Sequence, residues 1–126
     1  VPNYRELFLP KKEPYKKRFL VKTNNNLTPI EVTAIAYFFS EDKITFIVLK
    51  SGKKFPIDDS LKKLEDILDP TEFFRINRKY IIHIKAIVKM YYSAKSKIML
   101  HIEPTVNEQV SVAIEKLGKF KNWLSI

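Results

Sequence analysis

Between Phe73 and Ile87 the chain sets a short polar stretch, Arg75, Asn77, Arg78 and Lys79, among the apolar anchors Phe73, Phe74, Tyr80, Ile82, Ile84 and Ile87. An arginine reaches guanine O6 and N7 with two donors, and an asparagine pairs with adenine N6 and N7. A rigid scaffold that pushes such a connection outward is one way to enter the major groove of a duplex. Arg75 has a second reading, an ion pair with an acid such as Asp69 or Glu72. For Arg78 and Lys79 the nucleic-acid reading is the preferred one.

Covalent and acid–base chemistry finds little support. His83 and His101 are the only two histidines, and both sit in strand-like alternation. They could meet across strands as metal ligands, but two imidazoles without a third partner make a weak site. The chain has no cysteine, which removes disulfides, thiolate sites and cysteine nucleophiles. Only 2 glycines are present, and there is no Walker loop, nucleophile elbow or His-Glu-x-x-His pair. Asp58 with Asp59, and Glu65 with Asp66, read as helix capping and outer-face solvation. No catalytic residue, cofactor or metal is expected.

The 126 residues fit one domain, and 45% hydrophobic content supplies a core. A net charge of +9 attracts acidic partners of any kind. Its distribution is more telling. From Arg75 to Lys97 there are seven basic residues and no acidic one, whereas Thr23 to Phe74 carries six basic against nine acidic. A second basic block, Lys11 to Arg18, contains Pro14 and follows Pro10, and shows no amphipathic period. Residues 1–17 therefore read as a linker or arm, either a solvated tether or a contact for phosphates. The longest unbroken apolar run, Ala34 to Phe39, is too short to cross a bilayer. The N-terminal stretch carries no signal-peptide pattern, and Val1 in place of Met reads as the start of a piece of a longer chain.

Period-two alternation predicts strands over Phe19–Thr23, Ala34–Phe39, Ile44–Lys50, Lys79–Ile84, Ala86–Tyr92 and Lys97–Glu103. Turn-prone clusters at Asn24–Asn26, Ser40–Lys43, Ser51–Lys54 and Ser93–Ser96 separate them, so hairpins should dominate. Two segments carry helical spacing instead. Leu61, Leu64 and Leu68 line one face behind a cap at Asp58, Asp59 or Ser60, and Asp69-Pro70 ends the run. Ile114, Leu117, Phe120, Trp123 and Leu124 line another, from Ala113 to Leu124. The expected architecture is mainly β: a single domain of mostly antiparallel strands with two short helices.

The stretch of Phe74, Arg75, Asn77, Arg78, Tyr80, His83 and Ile87 resembles the core motif of LytTR-type DNA-binding domains, the output domains of AlgR/AgrA/LytR-family response regulators. Asn77 stands where that motif has His, and His83 where it has Asn. Similar pieces lie in order from Arg18 to Leu124, among them the Ile35–Phe38 strand, the Ser60–Glu65 helix and the closing Phe120–Leu124. The resemblance implies a LytTR-like domain over residues 18–126 that binds double-stranded DNA through three loops rather than a recognition helix. The first loop holds Asp42, Lys43 and Thr45, and the second Asn77, Arg78 and Lys79. The third precedes the last helix. There Val112-Ala113-Ile114 stand where members commonly read Val-Ser-Arg, leaving Ser111 or Lys116 to contribute. The resemblance further implies a bacterial, cytoplasmic two-component transcription regulator with an upstream receiver domain, paired on repeated half-sites and away from membranes.

Two other readings compete. A basic β-sheet module could bind an acidic protein, a polysaccharide or a membrane surface. Alternatively, exposed Tyr91 and Tyr92 could stack single-stranded bases, although tyrosines in strands are ordinarily there for packing.

Overall fold

The run Ile35–Phe39 is apolar on both faces, so it has to be covered on both. In the computed structural model, which describes residues 14–125, it becomes the middle of a five-stranded antiparallel sheet. In chain order the strands are β1 Arg18–Thr23, β2 Asn26–Glu31, β3 Ile35–Glu41, β4 Ile44–Leu49 and β5 Lys54–Ile57. Then come β6 Phe73–Arg75, β7 Tyr80–His83, β8 Ile87–Tyr92, β9 Ile98–Ile102 and β10 Val110–Ser111. Helix α1 spans Leu61–Ile67 between β5 and β6, and α2 spans Leu117–Leu124. The central sheet runs β5-β4-β3-β7-β6, flanked by the β1-β2 hairpin and by a second sheet ordered β10-β9-β8. The expected antiparallel β domain with two short helices is the architecture observed.

Register fixes which side chain faces which layer. Phe38 pairs with Ile47 and Ile81, while Tyr37 pairs with Val48 and Ile82. Phe38, Ile47 and Ile81 pack with Phe19, Val21 and Ile30 of the hairpin and Leu61 and Leu64 of α1. Tyr37, Val48 and Ile82 pack on the opposite side against Ile98, Leu100, Phe120 and Trp123. Two cores therefore share one sheet.

The helices follow their local signals with one correction. Ser60 caps α1, its Oγ accepting from the Lys63 amide at 3.1 Å. Helix α2 begins at Leu117 rather than Ala113, and Ile114 lies in a 3-10 turn with its side chain exposed. The reason is a competing bond: the Ala113 amide donates to Ile76 O at 2.8 Å, which keeps that residue extended (φ −59°, ψ 140°). Strands β2, β5, β6 and β10 fall outside the alternating runs. Pro29 and Pro56 interrupt the first two, both of which are edge strands, where a missing N–H is tolerated.

The expected arm lies outside the described residues up to Glu13. Its last residues belong to the fold: the Lys16 amide donates to Ile67 O, and Lys17 O accepts from the Val32 amide. Among the described residues no helix is long and apolar enough to cross a membrane.

Phe38 is fully buried, meeting the Phe19 ring edge-on at 5.6 Å and the Phe73 ring at a tilt at 5.8 Å. Phe38→Ala should lower the urea-unfolding free energy by about 3–5 kcal/mol. Leu20→Ala, on an exposed face of β1, should change it by less than about 0.5 kcal/mol.

Candidate nucleic-acid interface

The turn between β3 and β4 has only two residues, Asp42 and Lys43, outside its last pair Glu41–Ile44. Both take positive φ, 51° and 66°, as a hairpin turn matched to strand twist requires. Glycine or asparagine is the usual occupant, and an L-residue there costs about 1–2 kcal/mol. A lysine held in that strained conformation at an exposed tip is the kind of local cost found at functional sites.

The neighbouring loop, between β6 and β7, is braced from both sides. Arg75 Nε donates to Asn77 O at 3.2 Å, its Nη2 donates to Arg78 O at 3.1 Å, and its Nη1 meets Glu65 Oε2 at 2.9 Å. The acid is thus Glu65 of α1, not Asp69 or Glu72. Asn77 Oδ1 accepts from the Lys79 and Tyr80 amides at 2.8 and 3.0 Å, while Nδ2 donates to Ser111 O at 2.7 Å. The sequence suggests Asn77 as a base reader; the fold commits both ends of its carboxamide to the backbone. Ile76 between them is fully buried, which anchors the loop in the core.

Lys79 is likewise occupied. Its Nζ lies 2.9 Å from Glu108 Oε2 and 3.4 Å from Glu41 Oε1, and the Tyr80 hydroxyl donates to the same Glu108 carboxylate. The hydrogen bond from Tyr80, then that from Lys79, holds Glu108 below the usual carboxylate range. Lys79 is raised above its ordinary value, chiefly by its bond to Glu108. Burial is the main cause pushing the Tyr80 phenol up. Three loops are tied at one ammonium.

Lys43, Arg75, Arg78 and Thr45 line one surface cavity of about 300 Å³ together with Lys62 and Asp58. Thr45 is only 6% exposed, although it lines the same cavity. Among the described residues the ion pairs engage Arg18, Lys63, Arg75, Lys79 and His83, leaving Lys43, Lys62 and Arg78 unpaired. Lys62 is the residue the sequence reading missed. Its position beside Leu61 made it solvent-facing, but only the packing of α1 shows which loop it adjoins. Arg75 also lines a second groove, of about 560 Å³, whose rim includes Lys116, Lys119 and Glu115. Ser111 contributes its carbonyl to Asn77.

The histidines are apart in role. His83 is buried in β7, where its Nδ1 accepts from the Lys85 amide and burial pushes its imidazole below the ordinary value. His101 is exposed on β9 against the Tyr91 ring. Tyr91 and Tyr92 are exposed, the Tyr92 ring lying beneath the Lys121 ammonium.

Beside the braced β6–β7 loop of this β scaffold, Lys43, Lys62 and Arg78 are thus exposed and unpaired around one cavity. The LytTr DNA-binding domain family matches residues 25–125, and the chain belongs to that family. Among solved structures it is similar to a Bacillus cereus domain described as the LytTr DNA-binding domain of a methyl-accepting/DNA response regulator. The match has a TM-score of 0.75 and 22% identity, covering 88% of this chain and 99% of that one. At that identity the likeness shows the shared fold. No curated protein matches the chain.

Asn77→Ala removes the acceptor of two amides and the tie to Ser111. It should destabilise the domain by about 1–3 kcal/mol. Hydrogen exchange at the Lys79 and Tyr80 amides should accelerate in the same variant.

Proposed function

We propose that this chain is the DNA-binding domain of a response regulator, and that it recognises a specific duplex sequence by inserting inter-strand loops into the grooves. The observation that carries the reading is Arg78. It is exposed and unpaired, on a loop whose backbone is bonded from both sides, with Lys43 and Lys62 bordering the same cavity. A guanidinium held this way can address a guanine edge with two donors. Lys43, Lys62 and Lys116 neutralise phosphates and set the register on the duplex. Arg75, Asn77 and Lys79 serve as braces in this scheme, and Ser111 acts through its carbonyl. The description of the Bacillus cereus relative supports the response-regulator context. An upstream receiver domain and paired binding at repeated half-sites belong to that same reading.

Selection of duplexes from a random pool, followed by titration at several salt concentrations, tests it. Binding should fall steeply with salt, and Arg78→Ala should cost about 1–3 kcal/mol on the selected site. Lys43→Gly should relieve the positive-φ strain and raise fold stability by about 1 kcal/mol. It should also weaken DNA binding and reduce the salt slope by about one. Unchanged affinity in Arg78→Ala would overturn the loop assignment.

A further inference from the structure

Half of the large apolar side chains exposed among the described residues lie on one strand, β8: Val88 at 62%, Met90 at 44%, Tyr91 at 41% and Tyr92 at 61%. This strand is the outer edge of the β10-β9-β8 sheet. It pairs only with β9, from Ile87↔Ile102 to Tyr92↔Ile98, so its other side offers unpaired backbone donors and acceptors. Neither the core nor the loops around Arg78 account for this surface.

The edge also carries safeguards. Lys89 sits in its middle, and the register slips between Ile87 and Lys89. A central lysine and an irregular ladder are devices that discourage an edge from pairing with its own kind. A second copy laid antiparallel on β8 would bring the two Lys89 side chains close together, amid Lys85, Lys95 and Lys97. No acid lies from Arg75 to Lys97; the carboxylates beside Val88 and Tyr91 are Glu103 and Glu108, the latter already bonded to Lys79 and Tyr80. A nucleic acid would satisfy the lysines but has no peptide ladder for the strand edge. An extended peptide bearing carboxylates satisfies both, since main-chain bonds supply affinity and alternating side chains supply selectivity.

We propose that β8 is a docking edge for an extended segment of another protein in which acidic and apolar residues alternate, added to the sheet as a further strand. Its acids face Lys89 and its neighbours. Its apolar side chains, all on the opposite face, cover Met90 and Tyr92. The inference is independent of the DNA-contact assignments.

A short fluorescent peptide of alternating glutamate and valine is the probe, titrated into the whole chain by anisotropy, with amide exchange read in parallel. The peptide should bind saturably and slow exchange at the β8 amides that do not pair with β9. Lys89→Glu, an exposed substitution that should leave the circular dichroism unchanged, should weaken it by about fivefold. The same variant should gain affinity for a lysine–valine peptide of equal length. Displacement of the peptide by oligothymidylate would overturn the proposal in favour of single-stranded nucleic acid. Concentration-dependent self-association that protects β8 would overturn it in favour of a second copy. Unaltered peptide affinity in Lys89→Glu would overturn the charge complementarity on which it stands.

Discussion

The backbone between β6 and β7 turns too sharply for strand pairing, and the guanidinium of Arg75 takes up two of its carbonyls, Asn77 O and Arg78 O. Glu65 of α1 holds the opposite corner of the same fork. The planar, fixed arrangement of donors suits three acceptors at once; a lysine in its place would offer a point charge and no fork. Asn77 supplies the complementary half, accepting from the two following amides and donating to Ser111 O. Each bond nets only about 0.5–1.5 kcal/mol, but together they leave the loop few alternative paths. With Ile76 fixed in the core, Arg78 is the side chain left facing solvent. The proposed interface depends on this bracing because a floppy loop would lose on binding the conformational entropy that this one has already lost on folding.

The same bonds rewrite the electrostatics. The acid-free block from Arg75 to Lys97 looks like a patch of seven positive charges. Folding brings Glu65 to Arg75 and both Glu41 and Glu108 to Lys79, so two of the seven are neutralised by acids from other segments. In return, Lys43 and Lys62 arrive beside Arg78 from a stretch whose own sum is negative. The cationic surface around Arg78 is thus assembled across elements, and linear charge counts locate it only approximately. What remains of the block, around Lys85, Lys89, Lys95 and Lys97, borders the exposed apolar edge of β8 rather than the braced loop.

Much of the architecture was legible because its signals are local. Alternation marked β1, β3, β4, β7, β8 and β9, and Ser60 with Asp69-Pro70 bounded α1. The edge strands β2, β5 and β6 were not, since Pro29 and Pro56 break the pattern in the first two, β6 has only three residues, and edge placement is a tertiary property. The start of α2 was misplaced because the Ala113 amide is claimed by Ile76 O, thirty-seven positions earlier in the chain. The site was legible at the level of a loop. Arg75, Asn77, Arg78 and Lys79 were all singled out, but residue type alone does not separate a side chain that braces a turn from one that reaches outward. Arg75 and Arg78 are chemically identical; Glu65, brought near by the packing of α1, distinguishes them. Thr45 is largely buried in β4 beside the exposed Asp42–Lys43 turn, a placement that residue type does not announce.

The central claim is that Arg75 acts on DNA only by holding Arg78. A double-mutant cycle on duplex binding separates that from direct contact, using Arg75→Met, Arg78→Ala and the pair, each corrected for its folded fraction. If Arg75 is a brace, the pair should bind about as weakly as Arg78→Ala alone, a coupling comparable to the whole effect of Arg75→Met. Two costs that simply add would show Arg75 contacting DNA independently, and would contradict the account.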